Sequence, residues 1–252
     1  MPRCARKPSE SGIYHTMLRG INRQVIFEDD EDKEKFIETI LHYKSISNYE
    51  LYGYCLMDNH VHLLIKETSE PISMIIKRIS SSFVYWYNRK YDRCGHLFQE
   101  RFKSEAVESE VYFLTVLRYI HQNPLKAGLI KNIEAYKWSS YNEYLGKQTE
   151  VDIDLTLKIF SKDRIKAIEL LRKFMNEFNE DKCLEYEGKY LISDQEVISY
   201  FAQHDISDIN KLKQLEISKR NKIIEAVKSK KGVTIRQLSR ITGISKSVID
   251  RI

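Results

Sequence analysis

The sequence predicts an α+β fold, in which helices pack on an antiparallel sheet, followed by an all-helical region. Three patterns support this: strand-like and helix-like segments alternate through the first half, a turn pair joins two of the strands, and helical patterns alone fill the remainder. The predicted order is strand, helix, strand, strand, helix, strand, helix. This order is typical of an α+β sandwich.

The first elements follow from residue type and periodicity. Residues 13–19 have high β-propensity and end at Gly20, and residues 30–47 carry apolar side chains at helical spacing. Strands are expected at 51–57 and 60–66. The turn pair Asp58-Asn59 separates them, so they should form a hairpin.

The later elements of the first half are a long helix, an extended segment and a second helix. Residues 72–91 carry one apolar stripe, Gly95 interrupts the pattern, and residues 96–107 read as extended. The following helix covers residues 110–122. We expect it to end before Pro124, because a proline disfavours helical backbone at the residue that precedes it.

Composition indicates a soluble globular protein. The 252 residues are 42% hydrophobic and 31% charged, which is enough for one large or two modest domains. No apolar run is long enough to cross a membrane, and no signal peptide is visible. The cysteines are scattered without a CxxC pair, which argues against a structural zinc site or disulfides and favours the reducing cytoplasm. They are Cys4, Cys55, Cys94 and Cys183.

Positive charge is concentrated in the last part of the chain. The formal net charge is +5, yet residues 211–252 alone hold twelve Lys and Arg against three acids. Within this block, Thr234 can cap one helix, Gly243 can end it, and Ser245 can cap a second. This spacing is typical of a DNA-binding helix-turn-helix, although a plain helical hairpin with a solvated basic surface is the alternative. Its candidate DNA contacts are Arg236, Arg240, Lys246 and Arg251.

Two histidines in the second strand of the hairpin form the first candidate site. His60 and His62 are two residues apart, so they face the same side of the strand and can hold one divalent metal ion. An HxH pair also occurs by chance. We expect the other histidines to be surface or core residues. They are His15, His42, His96, His121 and His204.

A tyrosine and an asparagine one helical turn apart form the second candidate site. Tyr119 and Asn123 share one side of the helix, and Tyr119 lies at the flank of the apolar stripe. Its hydroxyl could therefore reach a site, although most of the 16 tyrosines are expected to be packing residues. Arg101 and Lys103 could contact a DNA backbone, or they are ordinary surface cations.

Four sequence blocks together resemble the HUH single-tyrosine transposases, and specifically the REP-associated tyrosine transposase branch, which shares the IS200-like transposase domain. They occur in the family's order within about residues 13–145. The blocks are YHTMLRG from Tyr14, MDNHVHLL from Met57, HLFQERFKS from His96 and YIHQNPLKAGL from Tyr119.

This resemblance implies a ferredoxin-like catalytic domain that cleaves and rejoins DNA through a 5′-phosphotyrosine. Tyr119 matches the nucleophile, His60 and His62 match the metal pair, and Asn123 matches a further metal ligand. The implied cofactor is Mg²⁺ or Mn²⁺. The implied partner is single-stranded or hairpin DNA, and duplex DNA is a further expected partner of the C-terminal region. Monomer and homodimer both stay open, and no membrane partner is expected.

The resemblance also suggests a domain organisation. We expect a catalytic domain at residues 1–150, a helical connector at 151–185, and a helical DNA-binding domain at 186–252 that is similar to the C-terminal region of the replication initiator DnaA. The protein should be cytoplasmic and associated with the bacterial nucleoid when bound to DNA. One alternative function is a non-catalytic DNA-binding regulator. A replication or conjugation initiator is less favoured, because the chain has no Walker motif.

Overall fold

The computed structural model describes residues 8–146, 150–184, 194–204, 206, 209–212, 215–230 and 232–252. The chain divides into two units, an N-terminal unit of residues 1–185 and a C-terminal unit of residues 186–252. Among the described helices, none combines the length and the apolar character needed to cross a membrane.

The N-terminal unit has the predicted order of strands and helices. Its four strands form one antiparallel sheet in the order β2-β3-β1-β4, which is the ferredoxin-like arrangement of a β-α-β-β-α-β chain. The predicted α+β fold class is therefore confirmed. The elements are β1 Ile13–Arg19, α1 Asp30–Ser47, β2 Glu50–Met57, β3 His60–Lys66, α2 Ile72–Lys90, β4 Lys103–Ala106, α3 Glu110–Lys126, α4 Ile153–Phe160 and α5 Arg164–Asn176.

Local sequence accounts for the ends of α1. Asp29 and Asp32 form a capping box, in which each side chain accepts a hydrogen bond from the other residue's backbone N–H. Asn48 ends the helix with a φ of 50°, a left-handed conformation that asparagine tolerates. These caps fix both ends of α1 at the predicted residues.

Two predictions about the later elements were wrong. The extended segment at 96–107 forms a regular strand only at β4, while Phe98 makes one isolated bridge to Gly20. Helix α3 does not end before Pro124 but continues to Lys126. The proline lies in the last turn, where its missing N–H removes one helical bond. Pro124 is buried, and its carbonyl accepts a hydrogen bond from Leu129 N at 3.0 Å.

The two faces of the sheet are covered by different helices. Right-handed crossovers place α1 and α2 on the same side, and these two helices pack against each other. Helix α3 packs on the other side, against β2 and β3. Gly53 of β2 permits the close approach, since a Cβ there would lie 2.9 Å from Leu117 Cδ1. The helix that carries Tyr119 is thus held against the face that carries His62.

The segment for which the sequence suggests a connector is helical and packs within the N-terminal unit. Ala167, Leu171 and Met175 of α5 are fully buried in the same core as the sheet. Gln122 of α3 donates a hydrogen bond to the Met175 carbonyl at 2.7 Å. Helix α5 therefore supports the outer side of α3.

The C-terminal unit consists of short helices around its own small apolar core. Thr234 caps α9 by accepting a hydrogen bond from Gln237 N, and Gly243 ends that helix with a φ of 66°. Ser245 occupies the N-cap of α10, but its side chain makes no capping bond and meets Ser247 instead. The helices are α6 Asp194–Ala202, α7 Ile209–Leu212, α8 Ile217–Lys228, α9 Ile235–Thr242 and α10 Lys246–Arg251.

Candidate active site

The antiparallel register of β1 and β3 builds one polar row on the face that α3 covers. Met17 pairs with His62, and Arg19 pairs with His60. Residues that are directly opposite point to the same face, and so do residues two apart along a strand. His15, Met17 and Arg19 therefore share a face with both histidines of the HxH pair, which we call the histidine face.

His60 is oriented by its neighbour in the hairpin turn. The Asn59 side chain donates through Nδ2 to the Arg23 carbonyl at 3.3 Å, which turns its Oδ1 toward His60 Nδ1 at 2.6 Å. An amide oxygen only accepts, so His60 Nδ1 must carry the proton. The lone pair of His60 is then on Nε2.

His62 is fully buried and is contacted through both ring nitrogens. Its Nδ1 lies 2.9 Å from Nε2 of His15, and its Nε2 lies 3.4 Å from the Asn123 side-chain amide. Its ring packs edge-on against His60, with 5.0 Å between centroids. The His62 side chain is therefore buried within a polar cluster, where β1, β3 and α3 meet. His60 and Asn123 are only partly buried and form the more open side of this cluster.

Tyr119 lies directly against this cluster. Its ring centroid is 5.6 Å from that of His62 and 5.9 Å from that of His15. The side chain is only 3% exposed, so it is more buried than its place at the flank of the helix suggested. Lys126, about two turns later, holds its ammonium group 5.6 Å from the Tyr119 ring.

Burial keeps the central imidazoles neutral. It lowers the pKa of His15 to about 3. Burial, followed by the neighbouring His15, His60 and Arg19, holds the pKa of His62 well below its usual value. Both rings therefore present one N–H and one lone pair at neutral pH.

The donor groups suit a divalent ion only if an amide contributes. In the part of the chain that the structure describes, no three His, Cys, Asp or Glu side chains are placed to hold a metal. His60 and His62 supply two imidazoles, and a half-turn of the Asn123 amide, which brings its oxygen to the position of its nitrogen, supplies an oxygen ligand. Two nitrogens and one oxygen fit Mn²⁺ or Mg²⁺.

The candidate DNA contacts are distributed over both units. Lys103 pairs with Met17 across β1 and β4, so it stands on the histidine face, and Arg101 is exposed just before β4. In the C-terminal unit, one predicted contact is already paired, because Arg240 bonds to Asp194 at 2.6 and 2.8 Å. The other three are at least partly exposed: Arg236, Lys246 and Arg251.

Sequence reasoning missed two members of the cluster. His15 is buried, as a core residue would be, yet it contacts His62, and Asn59 was assigned only to a turn. Asn59 could have been found from its position beside His60. His15 could have been found only from the register of β1 on β3. His121 is a core residue as expected, and its Nε2 lies 3.0 Å from the Ser140 hydroxyl.

Comparisons with known proteins agree with this architecture. The family described as "Transposase IS200 like" matches residues 9–123. A Haemophilus influenzae protein that carries the name REP-associated tyrosine transposase is 23% identical over 124 residues, which are 45% of this chain and 68% of that protein.

One solved structure shows a similar fold. A REP-associated tyrosine transposase bound to a REP hairpin aligns with a TM-score of 0.51 and 17% identity, over 58% of this chain and 87% of the other. A transposase structure from Deinococcus radiodurans aligns over 48% of this chain and 97% of its own, with 18% identity and a TM-score of 0.35. That TM-score is too low to bear on the fold. Residues 9–123 are therefore similar to the IS200-like transposase family, and the chain is similar to the REP-associated tyrosine transposases.

Proposed function

We propose that this transposase is a metal-dependent single-stranded DNA endonuclease and strand transferase that acts at hairpin-associated sites through a 5′-phosphotyrosine. The observation that carries the proposal is the convergence of β3 and α3. The Asn123 amide lies 3.4 Å from His62 Nε2, and the Tyr119 ring lies 5.6 Å from the His62 ring. The proposed nucleophile and the three proposed ligands thus lie within one cluster.

The proposed reaction is a transesterification with Tyr119 as nucleophile. Its phenolic oxygen forms a bond to phosphorus, and the bond from phosphorus to the 3′ oxygen breaks. The departing oxygen keeps the electron pair and takes up the proton that the phenol loses. Because the phosphodiester energy is retained in the tyrosine ester, the reverse attack by a 3′-hydroxyl rejoins DNA without ATP.

His60, His62 and Asn123 would hold the metal ion. When bound, Mg²⁺ or Mn²⁺ would polarise the scissile phosphate and offset its developing negative charge. The two imidazoles would bind through Nε2, which carries the lone pair in His60 because Asn59 accepts from Nδ1. Asn123 would bind through its oxygen.

Two regions would hold the DNA. Lys103 stands on the histidine face and can contact the backbone near the scissile phosphate, with Arg101 beside it in the chain. The C-terminal unit would add duplex affinity through Arg236, Lys246 and Arg251, which lie on the two helices of the helix-turn-helix.

The decisive experiment is capture of the covalent adduct. The full-length protein is incubated with Mn²⁺ and a labelled pool of hairpin oligonucleotides with randomised single-stranded flanks, and the products are separated on a denaturing gel. Tyr119→Phe removes only the hydroxyl, so it should abolish the adduct and leave DNA binding nearly intact. Tyr85→Phe is the matched control, because Tyr85 is 72% exposed on α2 and should form adduct at the normal rate.

The outcome separates this proposal from its alternative. An adduct that persists in the Tyr119→Phe protein would show that another residue is the nucleophile. Tight DNA binding without adduct from the unmutated protein would favour a non-catalytic DNA-binding regulator.

A further inference from the structure

We propose that His15 is a positioning residue, which keeps the proton of His62 on Nδ1 and so reserves His62 Nε2 for the metal. The inference rests on the proposed metal-dependent function. It assigns a role to a residue on β1, outside the HxH pair and outside α3.

The contact between the two rings holds a single proton. His15 Nε2 and His62 Nδ1 are 2.9 Å apart, and both rings are fully buried. If His62 donates, its Nε2 has the lone pair that a metal needs. If His15 donates, His62 Nε2 carries a proton and cannot bind a metal.

The neighbours of His62 favour the first arrangement. Without metal, the Asn123 amide presents Nδ2 to His62 Nε2 at 3.4 Å, which suits a lone pair on that nitrogen, and the half-turn that would bring its oxygen forward belongs to the metal-bound arrangement. His60 also carries its proton on Nδ1, because Asn59 Oδ1 accepts from His60 Nδ1 at 2.6 Å. Each histidine of the pair thus has a partner on Nδ1, which places the lone pair of each ring on Nε2, the atom that would bind the metal.

The cross-strand partner of His15 on β4 is a glutamate. His15 must keep its own proton on Nδ1 in order to accept through Nε2. That Nδ1 is buried without a hydrogen-bond partner among the described residues. Glu105 on β4 is directly opposite His15, and its Oε2 is likewise buried and unpaired within the described chain. Cross-strand partners share a face of the sheet, so Glu105 can serve as an acceptor for a proton on His15 Nδ1, and such an acceptor favours the tautomer that carries the proton there.

The first test reads the tautomers in the unmutated, metal-free protein. Long-range ¹H–¹⁵N correlation spectra of the histidine-labelled full chain distinguish the protonated ring nitrogen from the unprotonated one. We expect His60, His62 and His15 all to carry the proton on Nδ1. A proton on Nε2 of His62 would overturn the proposal, whatever the variants do.

The second test measures metal affinity by calorimetric titration with Mn²⁺ in full-length variants. His15→Leu fills a similar volume with an apolar side chain and removes the acceptor, so it should weaken Mn²⁺ binding about 10- to 100-fold. His15→Gln offers an amide oxygen that can accept from His62, so it should restore most of the affinity. Thermal unfolding checks that both variants fold.

The controls distinguish the two proposals. His62→Ala should abolish Mn²⁺ binding. If it does so while folded His15→Leu binds Mn²⁺ like the unmutated protein, then the role of His15 is wrong and the metal site stands. If the unmutated protein does not bind Mn²⁺, the proposed function fails and this inference fails with it. A His15→Gln variant as weak as His15→Leu would also contradict the acceptor role.

Discussion

The closest approach of α3 to the sheet offers a sharp test of how the site is assembled. At Gly53, an added Cβ would lie 2.9 Å from Leu117 Cδ1 and 3.6 Å from His121 Nε2. Carbon atoms in contact prefer a separation of about 3.5–4.0 Å. Leu117 is fully buried, so its side chain cannot turn aside into solvent, and we expect the clash to be relieved in part by a shift of α3 away from β2.

We expect Gly53→Ala to destabilise the N-terminal unit. Overpacking a core costs about 1–3 kcal/mol, and the less flexible unfolded chain of the alanine variant offsets about 0.4–1 kcal/mol. The net loss should be about 1–2 kcal/mol, which lowers the Tm by roughly 2–8 °C for a unit of this size. Trp86 and Trp138 are the two tryptophans and both lie in the N-terminal unit, so fluorescence reports its unfolding alone.

The same substitution should also slow adduct formation, even under conditions in which the variant is fully folded. Tyr119 and Asn123 are on α3, whereas His60 and His62 are on β3, so a shift of α3 separates the proposed nucleophile and one proposed ligand from the other two proposed ligands. A displacement approaching 1 Å can cost about 100-fold in rate. The rate is measured with the hairpin pool and Mn²⁺, at a temperature well below the Tm of the variant.

A double-mutant cycle with Leu117→Ala identifies the cause. Removing the Leu117 side chain in the Gly53→Ala background relieves the clash, so the two substitutions should couple by at least about 0.5 kcal/mol. A Gly53→Ala protein with unchanged Tm and unchanged adduct rate would refute the argument that this glycine sets the position of α3.

Three further predictions concern the metal, the C-terminal cations and a helix cap. Excess chelator should stop adduct formation by the unmutated protein and added Mn²⁺ should restore it; full activity in chelator would contradict a metal-dependent step. Replacing Arg236, Lys246 and Arg251 together by Gln should weaken duplex binding. The slope of the logarithm of the binding constant against the logarithm of the salt concentration should become less steep by up to about 0.9 for each phosphate that the variant no longer neutralises. Lys35→Gln on α1 serves as the control, and equal slopes would show that the helix-turn-helix does not contact the DNA. Thr234→Ala removes the α9 cap and should lower the local stability of that helix by about 1 kcal/mol, measured by amide hydrogen exchange; unchanged protection would show that the cap is dispensable.

Local patterns in the sequence were sufficient for most of the N-terminal unit. The capping residues around α1, the turn pair between β2 and β3, and the apolar stripe of α2 each act within a few residues, and the corresponding elements lie close to where they were predicted. The prediction of a helix end before Pro124 failed because the rule treats the proline in isolation. Burial of Pro124 and the Leu129 bond to its carbonyl stabilise the additional turn.

The candidate site could be predicted only in part. His60 with His62, and Tyr119 with Asn123, are visible as spacings along one strand and one helix. The contact between the two pairs, and the approach of His15 to His62, depend on strand register and on where α3 rests. Those are properties of tertiary packing, which the spacing of residues along a single element does not encode.

The wide separation of the site residues along the chain has a consequence for folding. His15 and His62 are 47 residues apart, and His62 and Asn123 are 61 apart. Closing such loops costs entropy that is repaid only when the sheet and α3 are in place, so long-range contacts of this kind form late and slowly. A chain still emerging from the ribosome therefore lacks the cluster until α3 has been synthesised and has docked. Incomplete and misfolded copies of this protein would then be unable to cut DNA.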